Sequence, residues 1–190
     1  MTVVAAAITK GDGVVLVADS QISTDYGKAD EGFCKLWVSE SHGYVFGGAG
    51  NLRALQVIKH WTNWPYYGPQ FVDVEEFVVK EVVPQIRVGL NEHGALSVNK
   101  RTESFEGSLI MAWDENLVVI DEDFSVSIPT SGRTAIGSGM SEALGSLGSK
   151  GPWIKSEVVE SARRSIVSAL GVGGPLWVSS TKSLKVEKIS

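Results

Sequence analysis

The residue with the most distinctive chemical prospects is the second one. Thr2 directly follows Met1, and a small hydroxyl residue in that place is where initiator methionine is usually trimmed. Trimming would leave a free α-amine on Thr2 with a pKa of about 8, low enough for it to act as base for the residue's own hydroxyl. A Met-Thr start is common and by itself defines no function. The familiar alternatives are missing: no P-loop, no Gly-x-Ser-x-Gly elbow, no His-Glu-x-x-His and no Cys-x-x-Cys occur. His42, His60 and His93 fall on an expected turn, helix and helix end and read as surface residues rather than ligands. Gly171-Val172-Gly173-Gly174 lacks dinucleotide-binding spacing and precedes an expected strand, so it reads as a turn; whether an ion sits there stays open. The sequence therefore predicts neither a metal nor a cofactor.

Composition narrows the class further. The 190 residues are 43% apolar and 21% charged, an ordinary balance for a globular chain that can bury a core. Seventeen basic against twenty-two acidic residues give a net charge of −5, and no stretch gathers Lys and Arg densely. Nucleic-acid and anionic-membrane partners are therefore not expected. Cys34 is the single cysteine and cannot form an internal disulfide, which fits a reducing compartment. Met1–Ala5 lacks the basic start and long apolar run of a signal peptide, and the apolar stretches are too short to span a bilayer. The expectation is a soluble, cytoplasmic protein with one domain over residues 1–190.

The elements that must position Thr2 follow from the pattern of apolar residues. Val3–Thr9 and Val14–Ala18 flank a Gly-rich turn and predict a hairpin, buried on both faces because neither run alternates cleanly. Cys34–Ser39 and Tyr44–Phe46 predict a second hairpin, which runs into Gly47-Gly48-Ala49-Gly50, where a backbone can approach something closely. Leu52, Leu55, Ile58 and Trp61 recur at helical spacing behind Asn51 as N-cap. Val74, Val78, Val82, Ile86 and Leu90 form a second helical stripe behind an Asp73/Glu76 capping box, kinked at Pro84 and ended at Gly94. Ser108–Trp113 and Leu117–Ile120 predict a third hairpin, Ser141–Leu147 a short helix, and Val159, Ala162, Ile166 and Leu170 a last long helix broken at Gly171. Leu176–Thr181 and Leu184–Ile189 close the chain as strands. Strand groups alternating with pairs of helices fit two antiparallel sheets stacked face to face with helices outside.

Several stretches in this order resemble the proteasome β-subunit family, and in particular its HslV-type branch of N-terminal nucleophile (Ntn) hydrolases. They are Thr2-Val3-Val4, Val14-Val15-Leu16-Val17-Ala18-Asp19, Lys35-Leu36, Phe46-Gly47-Gly48-Ala49-Gly50 and Ala135-Ile136-Gly137-Ser138-Gly139. The resemblance covers nearly the whole chain and implies an α+β fold, a four-layer αββα sandwich of two antiparallel sheets flanked by helices. It implies Thr2 as nucleophile, Lys35 as the cation that lowers the pKa of its hydroxyl or relays its proton, and Asp19 as the carboxylate that keeps Lys35 charged. It further implies the Gly47 N–H as oxyanion donor and Ser138 as a hydrogen-bonding partner near the Thr2 amine. Ile22, Phe33, Trp37, Val45 and Ala49 would fall on or near the wall of the substrate pocket; none is charged, so an apolar substrate residue is expected there.

Taken singly, these residues also have plain structural readings. Asp19 suits a strand end, Lys35 an edge strand, Gly47–Gly50 the lead-in to a helix, and Ser138 a helix cap. Two departures from the family pattern stand out. The Thr2–Asp19 spacing is one residue longer, an insertion placed in the Lys10–Gly13 turn, and Ala169-Leu170-Gly171-Val172-Gly173 carries none of the acid and hydroxyl groups that the family has there. The resemblance implies a threonine endopeptidase acting on proteins or peptides, a homo-oligomeric ring of about six or seven subunits and an ATP-dependent unfoldase partner. The rival expectations are a catalytically silent ring subunit and a small-molecule Ntn amidohydrolase.

Overall fold

In the computed structural model, which describes residues 2–24, 27–30, 33–99, 102–149, 151–168 and 173–189 (23, 24 and 27–30 as backbone only), the first two apolar runs form the expected hairpin. Val4–Thr9 (β1) and Gly13–Ala18 (β2) pair antiparallel, with Val4 opposite Ala18. Arg133–Ile136 (β12) adds to the other side of β1, and Leu176–Ser180 (β13) followed by Glu187–Ile189 (β14) extends the sheet beyond β2. A second five-stranded antiparallel sheet has the order β11-β10-β9-β6-β5, from Val126–Ser127 (β11), Asn116–Ile120 (β10), Gly107–Trp113 (β9), Tyr44–Gly50 (β6) and Leu36–Ser39 (β5). Two short hairpins, Ile22–Thr24 (β3) with Gly27–Asp30 (β4) and Ser97–Asn99 (β7) with Thr102–Ser104 (β8), stand apart from both.

The two-residue period of a strand explains why the inner strands lack a polar face. Val4, Ala6, Val14, Leu16 and Ala18 face the other sheet and meet Val45, Ala49, Ile110, Ala112, Leu117 and Val119. Alternate residues Ala7, Val15 and Val17 face outward, but onto Lys155–Ser168 (α5), so both faces are buried. Met140–Leu147 (α4) lies beside α5 on the same side. On the far side, Phe46, Met111, Trp113 and Ile120 pack against Leu52–Trp61 (α1) and Val83–Glu92 (α3). Helices, sheet, sheet and helices thus form four layers, the αββα sandwich expected.

The helix signals are met in detail. The Asn51 side chain accepts the Ala54 N–H at 3.2 Å, and Asp73 accepts that of Glu75 at 2.8 Å. Glu76 pairs with Lys80 at 2.6 Å rather than returning to the cap. Val78, Val82, Ile86 and Leu90 are buried as one stripe. The effect of Pro84 is spread backward: between Val74–Phe77 (α2) and α3, the turn Val78–Val82 widens so that the Val83 N–H reaches Val78 O. Proline has no N–H to give and its ring crowds the preceding turn, and the wide turn relieves both. The chain differs from expectation at β6, which does not stop at Phe46 but runs through the glycines to Gly50, because β9 pairs with it along its length. No helix among the described residues is long and apolar enough to cross a membrane.

The stacking of the two sheets generates a prediction. Leu16 is fully buried between them, so Leu16→Ala should cost about 2–5 kcal/mol, while Val167→Ala at an 87% exposed site on α5 should change stability by about 0.5 kcal/mol or less. Urea unfolding measures both; a neutral Leu16→Ala would contradict the sandwich.

Candidate active site

Strand register delivers the candidate residues to Thr2. Because Val4 pairs with Ala18 on one side and Ile136 on the other, extending β1 back toward Thr2 leads to Asp19 on one flank and to Gly137 and Ser138 on the other. The Val3 N–H donates to Asp19 Oδ1 at 3.0 Å. The Thr2 N–H donates to Ser138 Oγ at 3.1 Å, and the Thr2 carbonyl accepts the Gly139 N–H at 3.1 Å. Gly137 has φ of +88°, and a Cβ there would collide with the Thr2 carbonyl oxygen. Only glycine serves at that position.

From the other sheet, Lys35 immediately precedes β5 and donates to Asp19 Oδ1 at 2.6 Å; the pair is 4% and 0% exposed. Asp19 Oδ2 accepts the N–H groups of Gln21 at 3.3 Å and Gly173 at 3.2 Å. The four donors satisfy the lone pairs of the buried carboxylate, and the carboxylate gives the buried ammonium a partner. Burial nevertheless pushes the Lys35 pKa below its usual value, and the attraction and hydrogen bond of Asp19 restore only part of the shift.

Thr2 and Lys35 line one cavity of about 320 Å³ with Gly48. Its apolar walls are Ile22, Phe33, Leu52 and Leu55, and its remaining polar lining is Gln21, Asn51 and Arg53. Of the expected pocket residues, Ile22 and Phe33 are therefore at the cavity. Trp37 lines a smaller adjoining cleft of about 70 Å³ with Phe33 and Cys34, and Val45 and Ala49 lie in the core between the sheets. Gly47 also turns toward that core: a Cβ on it would sit 2.6 Å from Val4 Cγ1 and 3.0 Å from Leu36 Cδ2. Its neighbour Gly48 faces the cavity and donates its N–H to Lys35 O at 3.1 Å. The Cys34 thiol lies 3.3 Å from Leu36 O, and burial raises its pKa, which keeps it protonated.

Two contributors were not foreseen. Ser165 on the buried face of α5 lies 3.2 Å from Gly139 O, tying that helix to the loop that holds Thr2. A serine at a core position of a helical stripe was its signal. Arg53 reaches the cavity from the first turn of α1, and a cation in a helix's first turn, where the macrodipole disfavours it, was the signal there. Met1 and residues 169–172, including Gly171 and Val172 of the glycine turn, lie outside the described residues. Among the described residues no cluster of His, Cys, Asp and Glu could hold a metal ion.

A search of protein families finds none that matches the chain. No curated protein matches it either. Solved structures do. The chain is similar to the BPH of Thiobacillus denitrificans in complex with epoxomicin, at 15% identity and TM-score 0.73 over 99% of each chain. It is similar to Anbu, an ancestral beta-subunit, from Yersinia bercovieri, at 18% identity and TM-score 0.71 over 100% of this chain and 87% of the other. The eukaryotic HslV of Trypanosoma brucei matches at 20% identity and TM-score 0.63 over 93% and 97%. The fold is that of the proteasome-type Ntn hydrolases, and the resemblance read from the sequence holds at the level of the fold.

The Asp19–Lys35 pair yields a pH prediction. With the folded Lys35 pKa below 10.5, the unfolded chain holds one more proton between the two values, so stability rises with pH through that alkaline window. We predict that the native chain gains stability relative to a Lys35→Met/Asp19→Asn double variant as pH increases toward 10.5. Urea unfolding across that range checks it; a flat or falling difference would reject the lowered pKa.

Proposed function

We propose that the chain is a threonine endopeptidase of proteasome type, cleaving protein or peptide substrates with Thr2 after Met1 is removed. The observation that supports this most is that Thr2, with its backbone nitrogen on Ser138 Oγ, shares one cavity with a buried Lys35–Asp19 pair. In the processed chain the Thr2 nitrogen is an amine. It takes the proton of the Thr2 hydroxyl, with Ser138 Oγ beside it as a relay, while Oγ1 attacks the scissile carbonyl. The positive Lys35 lowers the hydroxyl pKa, and Asp19 keeps it charged and oriented. Backbone N–H at Gly47, at the start of the glycine run, would stabilise the oxyanion. The leaving amine takes the proton from the Thr2 ammonium, and water then hydrolyses the ester with the amine again as base. With Met1 in place that nitrogen is an amide and accepts no proton.

We further propose a cytoplasmic homo-oligomeric ring fed by an ATP-dependent unfoldase. Val79 and Val88, 47% and 49% exposed along the outer helix, give it an apolar surface for a neighbouring subunit. A second reading, a silent ring subunit, draws on the missing acid and hydroxyl groups in residues 169–173.

A peptidase assay separates the two. General-base catalysis is worth about two to four powers of ten, so Thr2→Ala and the unprocessed chain should lose nearly all turnover. Thr2→Ser should keep part of it, Lys35→Ala should approach Thr2→Ala, and exposed Lys185→Ala should match the parent. Each variant is checked by intact mass and melting curve. Equal cleavage by Thr2→Ala and the processed parent would refute the assignment.

A further inference from the structure

The loop that meets Thr2 is held from behind by a hydroxyl that takes no part in the chemistry. Ser165 has no exposed surface and lies on the buried face of α5 with Val158, Ser161 and Ala162. For the helix alone alanine would serve better there, since it has the higher helix propensity and no hydroxyl to take out of water. What serine adds is a donor, and the two serines of this face use theirs differently. Ser161, equally enclosed, donates to Val158 O of its own helix at 2.7 Å. Ser165 has Ser161 O one turn back at 3.1 Å and, across to another element, Gly139 O at 3.2 Å.

Gly139 is where that second reach matters. Its N–H donates to Thr2 O at 3.1 Å, and its carbonyl, which has two lone pairs, also accepts the Ala143 N–H at 3.1 Å in the first turn of α4. Ser138, just before it, accepts the Thr2 N–H at 3.1 Å and stands 3.4 Å from Thr2 O. Gly137 comes too close to Thr2 O for any Cβ. Three consecutive residues thus set where the Thr2 nitrogen stands. Glycines on both sides of Ser138 give this loop little stiffness of its own, so its rigidity must come from its neighbours.

We propose that Ser165 is a positioning residue for the Thr2 amine: by holding Gly139 from α5, it keeps Ser138 Oγ in line with the Thr2 nitrogen. The proposal rests on the peptidase reading above and adds to it a residue that acts through Gly139 rather than on the substrate. Its effect falls on the rate. Amine and hydroxyl must be aligned as the proton moves, whereas the substrate is held by the cavity, whose lining does not include Ser165.

The test measures kcat and KM on processed Ser165→Ala, Ser165→Thr and Ser161→Ala chains. Intact mass confirms the loss of Met1 in each, and melting curves confirm the fold. Ser165→Ala should lower kcat roughly threefold to tenfold, the scale of one neutral hydrogen bond, with KM within about twofold of the parent. Ser165→Thr keeps the hydroxyl and should recover kcat. Ser161→Ala removes an equally buried hydroxyl from the same helix and should match the parent. Amide hydrogen exchange adds a readout that needs no substrate: residues 137–140 should exchange faster in Ser165→Ala than in Ser161→Ala. A parent-like kcat in Ser165→Ala, an equal loss in Ser161→Ala, an effect confined to KM, or a folded Ser165→Thr no more active than Ser165→Ala overturns the positioning role and leaves the peptidase standing. A parent chain without turnover overturns the peptidase reading instead. Faster exchange confined to Ser165→Ala then still supports the restraint on the loop, and equal exchange in the two variants overturns that as well.

Discussion

Asp19 is a carboxylate with no exposed surface, and the geometry around Thr2 is built from the donors that converge on it. Its four hydrogen bonds come from Val3 just ahead of β1, Gln21 just beyond β2, Gly173 ahead of β13, and Lys35 just ahead of β5 of the opposite sheet. Taking an ion pair out of water is costly, and removing one partner of a buried pair typically costs about 3–5 kcal/mol because the other charge is left uncompensated. The pair therefore fixes the relative positions of four segments that are distant in sequence. It also brings an ammonium to the cavity wall within a neutral unit, so that the wall carries a directed donor without a net charge of its own.

Chain starts are ordinarily loose. Thr2 is instead clamped between Asp19 on the β2 flank, through Val3, and the Gly137–Gly139 loop on the β12 flank. Two glycines make the clamp possible. Gly137 lets the loop touch the Thr2 carbonyl, and Gly47 lets the second sheet approach Val4 to a distance no side chain would permit. Ser165 holds the loop from behind, through Gly139 O. Restraint of this kind is what N-terminal chemistry requires, because a nucleophile must be positioned before its hydroxyl can be activated.

Much of this was legible in the sequence, for identifiable reasons. The β1–β2 hairpin, the Asn51 cap, the Val78–Leu90 stripe and the stop at Gly94 are local patterns whose physics is contained within a few residues. The meeting of Thr2 with Asp19, Lys35 and Ser138 was readable only through the family resemblance, since register between distant strands leaves no local trace. The short hairpins β3–β4 and β7–β8 carry too few apolar residues to announce themselves. The end of β6 was misplaced because glycine disfavours a strand in isolation, whereas pairing with β9 settles it in the fold. Val45 and Ala49, expected near the pocket, alternate toward the sheet interface, and Arg53, the second residue of α1, lies at the cavity although the resemblance assigns no role to a residue of that helix.

The most direct test of the account is where an electrophile attaches. A peptide β-lactone offered to the chain is opened by a nucleophilic hydroxyl: a new ester forms at that oxygen, the ring C–O bond breaks, and the proton ends on the released alkoxide. Intact mass and tandem mass spectrometry then report both the state of Met1 and the site of the adduct. The account predicts a chain that has lost Met1 and gained one intact lactone, borne by Thr2, with none on a Thr2→Ala chain. An adduct on Cys34, or a processed chain that remains unmodified, would contradict it.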